Sequence, residues 1–161
     1  MEAKAKREIS GARIRKLGPE EAPAVASILR QAPEAAKWSL QGIGQSASSV
    51  DGVALVSEES GAISGFLLAR LTADGAEILN MAVLPAARRR GQGGMLLEAA
   101  LEEFAERGTD RVFLEVRESN EVAIAFYSKN GFSKTGRRPG YYHDPDEAAV
   151  LMEKKLTGFT G

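Results

Sequence analysis

A run of arginines and glycines, Arg88-Arg89-Arg90-Gly91-Gln92-Gly93-Gly94, stands at the start of a helical pattern. A helix start exposes backbone N–H groups and the positive end of the helix dipole, and glycines allow a phosphate to approach them closely. The arginines add charge and can form bidentate hydrogen bonds. Downstream, Glu115 and Tyr127 could supply acid–base chemistry. Together these residues predict a transferase that uses a phosphate-bearing cofactor; the alternative is an ordinary glycine-rich helix start with solvated arginines.

Two common phosphate-binding motifs do not match this segment. A P-loop requires Gly-Lys-Ser/Thr, whereas Gly94 is followed by Met95. The dinucleotide motif requires glycines directly after a strand, with a third glycine three residues beyond the second. Here residues 84–90 separate the strand pattern from Gly91, and Leu96 occupies the position of the third glycine.

Hydrophobic patterns predict that a mixed α/β framework positions these residues. The predicted order is a strand, one or two helices, three strands, a helix, a strand, a helix and two strands. We expect antiparallel hairpins first and parallel crossovers around the two later helices. The predicted strands are 12–17, 53–56, 63–71, 77–83, 111–116, 132–136 and 148–155; the predicted helices begin near residue 19, within 38–49, at 94 and at 120.

Composition limits the number of domains, the kinds of partner and the kinds of site that the chain can have. A chain of 161 residues with 43% hydrophobic residues predicts one domain, which we place at 11–156 between tails at 1–10 and 157–161. A net charge of −1 argues against nucleic acid or a membrane as a partner, and no aromatic residues alternate with the three arginines as an RNA site would need. With no cysteine, disulfides, thiolate metal sites and an acyl-cysteine intermediate are excluded. No signal peptide and no apolar run of about 20 residues is recognised in the sequence, so we expect a cytoplasmic protein. We also expect that the protein uses no metal.

The motif Arg/Gln-x-x-Gly-x-Gly/Ala is matched by residues 88–93, and further matches follow at 114–117, 119–120, 125–127, 131–132 and 141–142. On these residues the chain resembles the GNAT superfamily of acyl-CoA-dependent N-acyltransferases. It is most similar to the ribosomal-protein alanine N-acetyltransferases, closely over residues 76–156 and faintly before them. The resemblance implies a central mixed, mostly antiparallel twisted sheet of six to seven strands, with splayed middle strands and about four flanking helices.

The resemblance also implies roles for individual residues. Glu115 would be the general base, and Tyr127 would be the acid that protonates the departing CoA thiolate. Acetyl-CoA would be bound by Met81, Ala82, Val83, Arg88, Arg89, Arg90, Gly91, Gln92, Gly93, Gly94 and Asn120. The acceptor would contact Trp38, Tyr141 and Tyr142. Gly94 departs from the subgroup, which often has a basic side chain at that position.

The residues are consistent with these roles on physical grounds. Glu115 lies between two apolar residues, where burial would raise the pKa of a carboxyl; the alternative is an ion pair with Arg117 or Arg111. Asn120 and Tyr127 are seven residues apart, so a helix places them within about 20° of each other. A phenol with a usual pKa near 10 can protonate a thiolate, although core packing is the more ordinary role for Tyr127.

The expected reaction is direct transfer of acetyl to a protein N-terminus in a ternary complex. By the resemblance to the subgroup, the expected acceptor is the N-terminal alanine of a small-subunit ribosomal protein. Alternatives are a small amine or a lysine side chain as acceptor, a non-catalytic acyl-CoA-binding regulator, or a nucleotide-binding module. We expect a monomer or weak dimer. Asp144, Asp146 and Glu147 could favour a basic peptide, and His143 is expected to have a surface or structural role.

Overall fold

The computed structural model describes residues 11–32, 38–88, 91–143 and 145–156. The predicted order of elements is confirmed, with the two predicted tails lying outside the described residues. The strands are β1 Ala12–Lys16, β2 Gly52–Glu59, β3 Ala62–Thr72, β4 Gly75–Val83, β5 Arg111–Arg117, β6 Ser133–Tyr142 and β7 Glu147–Lys155. The helices are α1 Ala22–Arg30, α2 Leu40–Ser48, α3 Gln92–Glu106 and α4 Glu121–Lys129, with 3-10 turns at Pro19–Glu21 and Pro85–Ala87.

All seven strands form one sheet in the order β1-β2-β3-β4-β5-β7-β6. β4 and β5 pair in parallel, and the other neighbouring strands pair antiparallel. The predicted parallel crossover around α3 is confirmed. β5 and β6, which α4 connects, also run in the same direction, but β7 lies between them. The GNAT-type sheet expected from the sequence is therefore present.

Helices cover both faces of the sheet, because strand side chains alternate between two apolar clusters. On β3, for example, Leu67 and Ala69 pack with α3 and α4, whereas Phe66 and Leu68 pack with α1 and α2. We refer to these as the α3/α4 face and the α1/α2 face. None of the helices within the described residues has the length and apolar character needed to cross a membrane.

A β-bulge interrupts the middle of β4. Leu68 pairs with Asn80 and Ala69 pairs with Ile78, so Leu79 is an extra residue on β4. The bulge shifts the alternation of side chains along β4 by one residue. Ile78 packs on the α3/α4 face, and Met81, three residues later, packs on the same face. An uninterrupted strand would have placed residues 78 and 81 on opposite faces.

β4 and β5 separate at the level of this bulge. Their ladder has three residue pairs and ends at Ile78 with Leu114. Beyond that pair, the two strands are not joined by ladder pairing among the described residues, and we refer to the region between residues 79–83 of β4 and 115–117 of β5 as the gap. The splayed middle strands expected from the sequence are present.

Candidate active site

The N-terminus of α3 lies next to this gap. Gly91 is the residue before the helix and has a left-handed backbone with φ of +80°, a conformation that favours glycine. Helical hydrogen bonding begins with Met95 N, which donates to Gly91 O at 3.0 Å. The N–H groups of the first turn have no helical acceptor, and Gly91 has no side-chain oxygen to accept one. A Cβ atom added at Gly91 or Gly94 would meet no described atom within 4 Å, so a phosphate can approach.

The helix begins two residues before the predicted position, because Gln92 is buried and holds its first turn. Ser57 Oγ and Ser64 Oγ donate to Gln92 Oε1 at 2.9 and 2.6 Å, and Gln92 Nε2 lies 3.4 Å from Glu59 Oε2. The Gln92 side chain is thus directed toward β2 and β3. Any contact between Gln92 and a cofactor would have to come from its backbone N–H group.

The arginines before α3 are only partly described. Arg88 is exposed, and its Nε donates to Val83 O at 2.8 Å, which fixes the loop at the end of β4. Arg89 and Arg90 lie outside the described residues. The predicted contacts of all three with phosphate remain predictions.

A groove continues from the N-terminus of α3 along that helix toward the end of α4. Its volume is about 360 Å³. Lys154 Nζ lies at the far side and donates to Asn130 O at 2.7 Å. The residues that line the groove are Gly91, Gly94, Met95, Leu97, Glu98, Leu101, Asn130 and Lys154. An extended ligand with its phosphates at the helix start would have room for a further group here.

Glu115 faces the α1/α2 side of the sheet, since its neighbours Leu114 and Val116 pack on the α3/α4 face. Arg138 Nη1 lies 3.5 Å from Glu115 Oε1, and a hydrogen bond to Glu115 raises the pKa of Tyr141. The other carboxylate oxygen, Oε2, is buried and has no hydrogen-bond partner among the described residues. A buried carboxylate oxygen without a partner is costly for the free protein and is well suited to accept a proton or a hydrogen bond from a substrate.

The two ion pairs considered as alternatives for Glu115 are absent. Arg117 pairs with Glu147 at 3.2 Å, and Arg111 pairs with Glu153 at 2.6 Å. Neither arginine forms an ion pair with Glu115, so the alternative that Glu115 is simply the ion-pair partner of Arg117 or Arg111 is wrong.

Tyr127 lies on the opposite face of β5 from Glu115. Its ring packs edge-to-face with Phe126 at 5.3 Å and with Phe132 at 5.4 Å between centroids. Burial raises the pKa of the Tyr127 phenol above its usual value, which keeps the hydroxyl protonated. Packing against Phe126 and Phe132 is thus observed for Tyr127, and its role as a proton donor remains a prediction.

Asn120 caps the start of the same helix. Its Oδ1 accepts a hydrogen bond from Ala123 N at 3.1 Å. This use of the oxygen leaves the Asn120 Nδ2 group as the part of the side chain suited to contact a cofactor. Asn120 is the residue before α4 and Tyr127 is buried within the helix, and their roles toward one ligand remain predictions.

A family model described as acetyltransferase (GNAT) family matches residues 21–132, well over half of the chain. The chain belongs to the GNAT acetyltransferase family. Over 96 residues this GNAT protein is 38% identical to the [ribosomal protein bS18]-alanine N-acetyltransferase of Escherichia coli strain K12. That alignment covers 58% of this chain, and the chain spans 65% of the length of that relative.

Solved structures give the same family over a longer part of the chain. The ribosomal-protein-S18-alanine N-acetyltransferase from Escherichia coli superposes with a TM-score of 0.81 at 29% identity, covering 91% of this chain and 95% of that one. Ard1 from Thermoplasma volcanium superposes with a TM-score of 0.83 at 28% identity, covering 92% and 99%. The fold and the family predicted from sequence are confirmed.

Two adjacent tyrosines of this GNAT protein lie at the end of β6, near Glu115. Tyr142 is half-buried, burial raises its pKa to about 12, and its ring packs edge-to-face with that of the more exposed Tyr141 at 5.0 Å. Both tyrosines lie close enough for the charge of Glu115 to act on them. Trp38 is half-buried against the α1/α2 cluster. The sequence thus brings Glu115, Tyr141 and Tyr142 together, whereas Trp38 belongs to the packing of the first two helices.

The acidic turn after β6 is largely occupied by local contacts. Glu147 pairs with Arg117 and also accepts a hydrogen bond from Ser119 N. His143 is exposed and lies 3.2 Å from Asp146, which agrees with the expected surface role. Asp144 lies outside the described residues. Within the described part of the chain, no group of three or more potential ligand side chains is arranged to hold a metal ion.

Proposed function

We propose that this protein transfers the acetyl group of acetyl-CoA to the α-amino group of a protein N-terminus, with the N-terminal alanine of a ribosomal protein as the expected acceptor. The observation that carries the proposal is the buried, unpartnered Oε2 of Glu115 at the gap between β4 and β5. The Escherichia coli enzyme named above, which by name acts on alanine of a ribosomal protein, supports the choice of acceptor. A cytoplasmic location remains a prediction from the sequence.

The residues around the gap fit acetyl-CoA. The open first turn of α3 would hold the pyrophosphate, together with the arginines before it. Backbone groups of residues 81–83, at the edge of β4 that faces the gap, would bind the extended arm. When bound there, acetyl-CoA supplies an activated acetyl thioester. The acetyl group would then lie between the two faces of the sheet.

The two titratable residues would act from opposite sides of this gap. On the α1/α2 face, Glu115 accepts a proton from the incoming amine, directly or through a water molecule. On the α3/α4 face, Tyr127 donates its proton to the departing sulfur. The chain contains no cysteine, so acetyl passes to the amine without an acyl-cysteine on the protein.

An α-amino group suits a carboxylate base of this kind. Its usual pKa of about 7.7 to 8.0 leaves a useful neutral fraction at neutral pH, whereas a lysine amine with a pKa of about 10.4 is almost entirely charged. Glu115 therefore has to remove only one proton from an N-terminus, at or after attack. A lysine acceptor would require a second deprotonation before attack.

The test is release of CoA thiol from acetyl-CoA with two peptides, one with a free N-terminal alanine and one with a blocked N-terminus and an internal lysine. We expect turnover of the free N-terminus only. Turnover of the blocked peptide would move the activity to lysine side chains, and turnover of neither peptide, with acetyl-CoA binding retained, would refute protein N-terminal acetylation.

A pair of variants connects the activity to the proposed base. Glu115→Gln should reduce kcat by on the order of a hundredfold or more, the range expected on loss of a general base. Glu118→Gln is the matched control, since Glu118 is an exposed carboxylate that pairs with Arg137 at 2.6 Å a few residues away. Equal effects of the two substitutions would contradict the role of Glu115.

A further inference from the structure

Arg117 follows Glu115 by two residues on the same face of β5, and its guanidinium contacts the turn between β6 and β7 at several points. Nη1 donates to Pro145 O at 3.3 Å and to Glu147 Oε1 at 3.2 Å. Nη2 donates to His143 O at 3.2 Å. One side chain thus contacts two backbone carbonyls of this turn and the carboxylate of Glu147, the first residue of β7.

The same guanidinium also contacts the acceptor-side tyrosine. Arg117 Cζ lies 4.5 Å from the centroid of the Tyr142 ring, a distance typical of a cation–π contact. Glu147, in turn, accepts a hydrogen bond from the backbone of Ser119, immediately before α4. Arg117 and Glu147 therefore connect β5, the β6–β7 turn and the segment before α4.

These contacts require an arginine. The planar guanidinium offers five donors in a fixed arrangement, so it can satisfy the carbonyls of His143 and Pro145 and the Glu147 carboxylate at the same time. A lysine amine at this position would reach one or two of them. Arg117 is also mostly covered, with 28% of its side chain exposed, and Glu147 has 15% exposed.

We infer that Arg117 is a positioning residue that fixes the β6–β7 turn and Tyr142 beside Glu115, and that it thereby sets the affinity for the acceptor without binding acetyl-CoA. This inference rests on the proposed function for its kinetic consequence. The groups assigned to acetyl-CoA lie on α3 and the loop before it, on β4 and on Asn120. The described side-chain contacts of Arg117 are made to none of them, and only its backbone O, which a side-chain substitution leaves in place, accepts from Asn120 N at 2.9 Å. Loss of the Arg117 side-chain contacts would therefore weaken binding of the acceptor more than binding of acetyl-CoA.

Arg111 provides a matched control on the same strand. It also pairs with a glutamate of β7, Glu153, and also contacts an aromatic ring, that of Phe113 at 6.0 Å. Its described contacts do not include the β6–β7 turn. Arg111→Gln therefore removes a β5–β7 ion pair and a ring contact while leaving the turn intact.

The experiment compares Arg117→Gln, Arg117→Lys and Arg111→Gln with the unmodified protein. For Arg117→Gln we expect the KM for the alanine peptide to rise about tenfold, the change that corresponds to losing about one hydrogen bond of a charged group. The KM for acetyl-CoA and kcat should stay within about threefold, a difference too small to represent a lost hydrogen bond. Arg117→Lys should fall closer to Arg117→Gln than to the unmodified protein, and Arg111→Gln should change neither KM.

Hydrogen exchange of the turn amides tests the positioning without any acceptor. Hydrogen exchange of the amides that follow β6 should become faster in Arg117→Gln and stay unchanged in Arg111→Gln. Thermal unfolding curves should show that both variants are folded. Equal exchange in the two variants would overturn the inference, and so would a KM for acetyl-CoA that rises as much as that for the peptide. If the unmodified protein acetylated no peptide, the proposed function would fail, and the exchange measurement would still decide the role of Arg117.

Discussion

Replacement of Gln92 by leucine tests whether the buried amide holds the start of α3. The substitution removes the acceptor of two serine hydroxyls, at 2.9 and 2.6 Å, and a longer contact to Glu59. Ser57 and Ser64 keep each other as partners at 3.2 Å, so neither hydroxyl becomes fully unpaired. With about 1 kcal/mol for each of the two short bonds, we expect a loss of about 2 kcal/mol in the free energy of unfolding.

Thermal unfolding followed by circular dichroism measures this loss. For a domain of this size, about 2 kcal/mol corresponds to a decrease in Tm of roughly 4 to 8 °C. Because Gln92 begins the helix whose first turn is assigned to the pyrophosphate, the dissociation constant of acetyl-CoA should increase as well. Calorimetry gives that value independently of any acceptor.

A compensating variant separates hydrogen bonding from packing. When both partners of a buried hydrogen bond become apolar, the change can be nearly neutral. Ser57→Ala/Ser64→Ala/Gln92→Leu should therefore recover most of the stability that Gln92→Leu loses. The reasoning is refuted if Gln92→Leu unfolds at or above the temperature of the unmodified protein, or if the triple variant is no more stable than the single one.

Three further predictions concern single residues. Tyr127→Phe should lower kcat by on the order of a hundredfold and leave the dissociation constant of acetyl-CoA nearly unchanged, as measured by steady-state kinetics and calorimetry; the reverse pattern would exclude its role as the acid. The hydrogen bonds from Arg15 lower the pKa of Glu21 from 4.5 to about 2, so their stabilisation is present above pH 4.5 and is lost as the pH falls toward 2. Glu21→Gln should cost about 1 kcal/mol at pH 7, because solvent screens this partly exposed pair, and the difference in unfolding free energy from the unmodified protein should vanish near pH 2; a constant difference would contradict the assignment. Gly91→Ala should lower stability by about 1 to 2 kcal/mol in urea unfolding through its φ of +80° alone, since an added Cβ meets no described atom; no loss would show that the turn relaxes.

The sequence predicted those features that depend on local patterns. The start of α4 at Asn120 follows from the local pattern, and the structure confirms it with Asn120 as the capping residue; the shared face of Asn120 and Tyr127 stays a prediction from helical spacing. The position of Glu115 on a strand with apolar neighbours follows from alternation along β5. These patterns extend over about ten residues, which is the range over which periodicity gives information.

Features that depend on contacts between distant segments could not be predicted. Gln92 binds Ser57 and Ser64, which lie 35 and 28 residues earlier, so its glycine-rich surroundings indicated a ligand contact rather than a buried amide. Arg117 binds Glu147, 30 residues later, and nothing near Arg117 in the sequence distinguishes that carboxylate from Glu115. Both choices of partner are set by the order of strands in the sheet.

The extra residue in β4 has a consequence for how the two halves of the reaction are kept apart. If β4 ran through Leu79 with regular alternation instead of the bulge, Met81 and Val83 would face the same side of the sheet as Glu115. Pairing with β5 could then also continue past Leu114, which would close the gap. Under the proposed function, the bulge at Leu79 would keep Met81 and Val83, which are assigned to acetyl-CoA, on the α3/α4 face and Glu115 on the α1/α2 face.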